Sequence, residues 1–222
     1  MLKRLTRLAP VLLIILLPWF FYWLLSGGKH QAKPIGFYGP KIPITKIVDG
    51  KQTTDTIYHT IGDFNLLGND DKRYTDKELQ KCFHVIGVFN TGSKVSVALF
   101  EKLFFLQEEV KGKSDIRILT VTNQPLHDSA EAIKKFIDGK QIDKQKWFLL
   151  TGSEPEIENL LTKSLFLTYN SNRTADNDQL FLIDKDKRIR GIYDGTDEVE
   201  LKRLFDELKV LRLEYALQKQ KL

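Results

Sequence analysis

Cysteine is nearly absent from this chain: Cys82 is the only one in 222 residues. An intrachain disulfide is therefore excluded. A stripe of basic residues interleaved with aromatics is missing as well. The net charge is +5, and Lys3, Arg4 and Arg7 supply three of those charges. The remainder is nearly balanced, so composition gives no support to nucleic-acid binding. No internal repeat and no low-complexity tract occurs, and the length suits one domain with an appendage. Imidazoles are few too: His30, His59, His84 and His127. What is present is 42% hydrophobic and 28% charged, the balance of a chain that buries a real core.

One long apolar run stands at the N-terminus. Leu8–Leu25, LAPVLLIILLPWFFYWLL, carries no charge. As a helix it spans about 27 Å, close to the roughly 30 Å of a hydrocarbon core. The basic segment 1–7 before it predicts a cytoplasmic N-terminus. Trp19 to Trp23 crowd the far end as an interfacial aromatic belt would, and Pro10 and Pro18 are tolerated in such helices. No A-x-A-like cleavage site follows, nor a cysteine for lipidation. The expectation is an uncleaved, single-pass signal-anchor at 8–25 in the cytoplasmic membrane, with the rest of the chain outside the cytoplasm. Residues 26–55 read as a tether and N-terminal extension, dense in Gly, Pro and Lys up to Lys41. Ile35, Phe37 and Tyr38 are too apolar for a free linker and are expected to pack on the domain. Ile42–Thr56 reads as a strand or hairpin turning at Asp49-Gly50.

From 56 to 222 the pattern alternates. Thr56–Leu67 reads as strand and extended chain, and Tyr74–Leu79 as a short polar segment or one helical turn. Cys82–Phe89 is almost wholly apolar, as a strand buried on both faces would be. Val95–Val110 repeats apolar residues at helical spacing. Asp115–Val121 predicts a strand, and Asp128–Ile137 a helix capped by Asp128 or Ser129. Trp147–Leu150 predicts a strand, and Glu154–Leu161 a helix with Pro155 in its first turn. Gln179–Asp184 and Arg188–Tyr193 form a hairpin, read as a surface feature. Glu198–Tyr215 is a long amphipathic helix that Asp194 or Thr196 can cap. The order predicts an α/β domain with parallel strand pairs and an antiparallel edge.

Several segments carry a resemblance. Ile61-Gly62-Asp63-Phe64 is similar to an I-P-D-F opening, and Asn69-Asp70-Asp71-Lys72 to an N-Q-D-G-K turn. Val88-Phe89-Asn90-Thr91 resembles F-F-T-x, and Leu119–Asp128 (LTVTNQPLHD) resembles S-x-x-V-D-P-E-x-D. Trp147–Gly152 (WFLLTG) and Leu182–Thr196 (LIDKDKRIRGIYDGT) are the nearest matches. Together they resemble the Sco/SenC family, membrane-anchored proteins of thioredoxin-like fold that help assemble the copper centre of cytochrome oxidase. The likeness runs roughly from Thr56 to Tyr215. It implies a thioredoxin-like mixed sheet flanked by helices.

The departures bear on function. Active members hold copper with two cysteines in C-P-x-x-C-P and a histidine ahead of the penultimate strand. Through the flanking segments the cysteine positions fall on Gly92 and Ser96, with Ser93 and Val97 in place of the prolines. The histidine position falls on Asp176, or on Asn177 or Asp178 with a shifted loop. Copper prefers thiolate and imidazole, and disulfide exchange needs a thiolate at the junction. Cys82 lies seven residues before Phe89, some 20 Å away at about 3.3 Å per residue, and reads as a buried structural thiol. Ser93 and Ser96 read as helix-start residues. Ser93, His127 and Asp128 are the candidates for a vestigial site, His127 being the one base available to a serine there, and His127 and Asp128 with Asp176 could hold a harder metal; the plainer reading of His127 is a solvated loop residue. His59 and His84 read as packing residues.

The resulting expectation is a non-catalytic, Sco-like binding or assembly protein with no catalytic residues, no resident metal and no cofactor. Its partners would be the membrane and a protein of a respiratory or other membrane complex. No nucleic acid and no small-molecule substrate is expected. The alternative is a working copper chaperone or thiol-disulfide oxidoreductase that uses another ligand set.

Overall fold

The computed structural model describes residues 16–23, 34–48, 51–169 and 178–220. The chain divides into two compact units, Met1–Lys33 and Pro34–Leu222. In the first, residues 16–23 form a helix, α1. The rest of the apolar run 8–25 lies outside the described residues, and among the described residues no helix is long and apolar enough to cross a membrane.

The second unit opens with a hairpin, β1 (Lys41–Val48) and β2 (Lys51–Tyr58), whose register pairs Val48 with Lys51. It forms a two-stranded sheet of its own, and the expected turn residues Asp49 and Gly50 lie outside the described residues. Seven further strands make the main sheet: β3 (Asn65–Gly68), β4 (Arg73–Thr75), β5 (Phe83–Phe89), β6 (Ile116–Thr122), β7 (Trp147–Thr151), β8 (Gln179–Ile183) and β9 (Ile189–Asp194). Their order is β4-β3-β7-β6-β5-β8-β9. The three central strands β7, β6 and β5 are parallel, and β3 and β8 flank them antiparallel. The helices are α2 (Asp76–Leu79), α3 (Lys94–Glu109), α4 (Ala130–Ile137), α5 (Glu154–Asn159) and α6 (Glu198–Lys219), and a π-helical turn, Leu160–Ser164, continues α5.

The apolar pattern explains the layers. All seven residues of β5 are buried, because it lies between two strands and two helical layers. Val85 and Phe89 meet Leu99, Phe100, Leu103 and Leu204 on the face of α3 and α6. Ile86 and Val88 face Ile61, Ile157, Leu160 and Leu161 on the other. Ser153 and Glu156 form a capping box that starts α5, with Pro155 in its first turn.

Three details depart from the sequence expectations. The polar stretch from Tyr74 contributes to a strand, β4, that pairs with β3 before α2 begins. Asp197 caps α6 by accepting from the Val199 N–H, while Asp194 holds the preceding turn through Thr196 and Asp197. The β8–β9 hairpin is not a surface feature throughout, since Arg190 is only 3% exposed.

Arg190 organises this end of the domain. The fully buried carboxylate of Asp184 accepts from Arg188 Nε at 2.9 Å and Arg190 Nη1 at 3.2 Å. Arg190 also donates to the carbonyls of Ile35 (2.8 Å) and Gly36 (3.1 Å) and to Glu214 (2.8 Å). The Ile35 N–H donates to the same Glu214 carboxylate at 3.1 Å. Phe37 lies under both guanidinium groups and stacks on Tyr58 at 3.9 Å. Residues 35–38 are thus a strap fixed to β9 and α6; Ile35 and Phe37 pack as their apolar character predicts, while Tyr38 is exposed and held by its N–H to the Ile189 carbonyl. Gly39 (φ +93°) turns the strap into β1, where a Cβ would stand 2.8 Å from that of His59.

A charge buried without its partner is costly. Arg190→Met is expected to destabilise the chain by about 3–5 kcal/mol. Arg212→Ala, which breaks the more exposed Asp115 pair, is expected to cost about 1 kcal/mol or less. The urea midpoints of the two variants test the contrast.

Candidate functional site

The junction after β5 lies at the C-terminal ends of the parallel strands, where open α/β sheets place their sites. Asn90, Thr91 and Gly92 lead into α3. Ser93 caps that helix, its hydroxyl oxygen accepting from the N–H groups of Val95 (3.1 Å) and Ser96 (3.3 Å). Ser96 is buried, and its hydroxyl accepts from the Asn90 N–H at 3.0 Å. This bond draws the first turn of the helix back onto the strand end.

Asp128 ties the neighbouring strands together. Its carboxylate has no exposed surface. It accepts from the hydroxyls of Thr91 and Thr122, each at 2.5 Å, and from the Thr91 N–H at 3.3 Å. The Thr151 hydroxyl donates to the Asp128 carbonyl at 2.8 Å. Thr122 also accepts from Gln124 N–H, and Asn123 N–H donates to the carbonyl of Phe89. The ends of β5, β6 and β7 are thereby joined through one residue. A buried carboxylate persists only with such donors.

The other sequence candidates are spread out. Gly92 is exposed, and a Cβ there would meet only Asn90 Oδ1, at 3.7 Å. His127 is exposed while Asp128 next to it is buried, so the two face different surroundings and do not converge on one ligand. Ser129, not Asp128, caps α4. Asp176 and Asn177 lie outside the described residues; the Asp178 carbonyl accepts from Gly195 N–H. Among the described residues no group of three or more His, Cys, Asp or Glu could hold a metal ion. Cys82 is buried just ahead of β5, its Sγ 3.7 Å from the Ser114 carbonyl.

Thr122, Thr151 and Asn90 were not singled out from sequence. The available signal was a threonine at the end of each of two apolar runs, in TVTN and LLTG. The chemistry open to this set is limited. Gly92 offers no donor. The Ser96 hydroxyl and both Asp128 oxygens are occupied within the protein. Copper needs thiolate or imidazole, so the residues described at the junction do not fit it.

The geometry has close relatives. A sequence model of the family SCO1/SenC matches residues 52–210. The chain belongs to the SCO1/SenC family. It is 21% identical over 167 residues to a SCO1 protein homolog of Bacillus subtilis, covering 72% of this chain and 86% of that one. A solved SCO1/SenC family lipoprotein from Bacillus anthracis superposes with a TM-score of 0.63 at 21% identity, over 69% of this chain and 95% of the other. BsSco, described as a member of the Sco family of cytochrome c oxidase assembly proteins with a disulfide switch, gives 0.61 at 19% identity, over 69% and 93%. At these identities the structural likeness establishes the thioredoxin-like fold.

Two histidines in this SCO1/SenC domain serve packing. His59 Nε2–H donates to the Ser164 carbonyl at 2.9 Å, beside Phe166. His84 is fully buried on β5, where Nδ1–H donates to the Cys82 carbonyl at 3.0 Å and Nε2 has no partner. Burial, followed by the nearby Arg117 charge, pushes its pKa down to about 3. The unfolded chain takes up a proton near the ordinary value of 6.5, and the folded chain refuses it. Stability at this residue is therefore complete above pH 6.5 and is lost as the pH falls towards 3. In His84→Leu the urea midpoint is expected to depend less on pH across that window, whatever its value at pH 7. Asp128→Ala is expected to cost about 3 kcal/mol, since it removes charge-assisted bonds and strands the buried Thr122 hydroxyl and the half-buried Thr91 hydroxyl. Asp128→Asn, which keeps one acceptor, is expected to cost less by the same measurement.

Proposed function

We propose that this chain is a membrane-anchored SCO1/SenC protein with a degenerate copper and redox site, acting as a non-catalytic binding or assembly factor for a respiratory membrane complex. Family membership connects it with copper delivery or redox work in cytochrome oxidase assembly, the setting named for BsSco. The observation that carries the degenerate reading is the set of bonds at the junction. Ser96 holds the Asn90 N–H and Asp128 holds two threonines, so this hydroxyl and this carboxylate are committed to the fold, and the Asn90 amide, which has no partner, is neither a thiolate nor an imidazole. With Gly92, Ser96 and Asp176 at the family's ligand positions, no thiolate or imidazole is left there.

In this reading residues 8–25 anchor the chain and 56–222 form the working domain outside the cytoplasmic membrane. The helical segment 16–23 and the lipoprotein relative from Bacillus anthracis are consistent with attachment to a membrane. Binding would use the surface of the domain, and the partner would be a protein of the membrane complex.

Metal loading tests this. After loading with Cu(I) or Cu(II) and desalting, the wild-type chain is expected to retain no stoichiometric copper by elemental analysis. The double variant Gly92→Cys/Ser96→Cys is expected to gain Cu(I), because it places two thiolates at the loop and first turn that open α3, and Cu(I) selects thiolate. Loss of the Asn90–Ser96 bond should cost that variant about 1 kcal/mol. Stoichiometric wild-type binding that survives Cys82→Ser but fails in His127→Ala would overturn the reading in favour of an active copper chaperone. Crosslinking in native membranes should recover a subunit of a membrane complex.

A further inference from the structure

The C-terminal third of α6 carries an apolar stripe that the fold does not use. Leu213 is 53% exposed and Leu217 is 50% exposed, one turn apart on one side of the helix. They cannot rotate inward, because the residues between them are fixed on the other side. Glu214 bonds Arg190 and the Ile35 N–H. Tyr215 donates to Asp186, accepts from Arg188 and packs edge-on against Phe83. Lys219 and Lys221 follow the stripe, while Lys209 and Arg212 are paired with Asp206 and Asp115.

We infer that this stripe, Leu213 and Leu217 with Lys219, rests on the surface of an anionic phospholipid bilayer. The inference rests on the anchor reading above. Ile35 is the first residue of the strap bonded to α6, and its amide is held by Glu214, between the two leucines. Only the nine residues Ser26–Pro34 separate it from Leu25, the end of the apolar run. Nine residues reach at most about 30 Å, so a chain anchored at 8–25 keeps this end of the domain close to the headgroups. Partly exposed leucines flanked by lysines suit the boundary between headgroups and acyl chains.

The orientation has a consequence for the junction. Arg212 of α6 pairs with Asp115, immediately before β6. The Asn123–Asp128 loop follows the far end of β6, about 23 Å away at 3.3 Å per residue. The bilayer contact therefore turns the Gly92 junction and its exposed neighbour Leu126 (76%) away from the membrane, towards a partner.

Spin labelling of the full chain in phosphatidylglycerol-containing liposomes tests this. Nitroxides are placed at Leu217→Cys and Leu126→Cys, in a Cys82→Ala background or with Cys82 retained and shown unreactive in the folded chain. The label at 217 should collide preferentially with oxygen dissolved in the bilayer, and the label at 126 with an aqueous nickel chelate. In phosphatidylcholine alone, at high salt, or with Lys219→Glu, the preference at 217 should weaken at least threefold. A label at 217 as accessible to nickel as that at 126, in a chain that resists carbonate extraction, overturns the inference and leaves the anchor reading standing. Extraction by carbonate overturns both. Shielding at 217 that appears only when a solubilised membrane complex is added assigns the stripe to a protein and overturns the lipid reading.

Discussion

The carboxylate of Asp128 is the constraint on which the junction depends. It has no contact with solvent, yet it sits where three parallel strands end and their backbones would otherwise diverge. Two threonine hydroxyls from β6 and the loop after β5 meet its oxygens, and a third from β7 meets its carbonyl. Ionised acceptors make the stronger hydrogen bonds, and the low local dielectric raises the cost of losing any of them. Asp128 and the three threonines satisfy one another there, while the buried side-chain amide of Asn90 beside them has no hydrogen-bond partner. Such an arrangement leaves little freedom to take up a ligand, because a new bond to Asp128 must first break an old one.

The opposite end of the domain follows the same logic with another charge. Asp184 is buried and answered by Arg188 and Arg190, and Arg190 passes the connection to Glu214 and to the carbonyls of the strap. Between these polar ends the layers are apolar and ordinary. The consequence is directional. The chain enters at the Asp184 end, and the junction lies at the Asp128 end, separated by the length of the central strands.

Much of this architecture is legible in the residues. The run Cys82–Phe89 announces a buried strand because it has almost no polar residue, and the spacing of Leu99, Leu103 and Leu106 announces α3. Ile35 and Phe37 announce the strap by being apolar in a polar stretch. What was not legible depends on partners distant in sequence. Arg190 reads as a surface residue because arginine usually is one, and its burial follows from Asp184, Glu214 and two carbonyls that only the fold brings together. Asp128 and Ser129 are equally good caps by type, and the choice between them turns on Thr91 and Thr122, the first thirty-seven residues away. β4 is polar and short, so no periodicity marks it. The absence of thiols at the junction, by contrast, is a fact of composition and needed no structure.

The two proposed replacement positions differ in what the fold now asks of them. At Gly92 nothing is asked. The site is open, a Cβ would make only an ordinary contact with Asn90, and Gly92 is not among the positive-φ glycines. Packing and backbone strain therefore give no reason for a glycine there. At Ser96 the hydroxyl has a partner, the buried Asn90 N–H, which would cost about 1–3 kcal/mol if left unpaired. A cysteine at 96 would replace a good acceptor with a weak one. In the proposed reading one ligand position has become neutral and the other has become structural. In that reading, recovering the chemistry would mean giving up a bond on which the start of α3 depends.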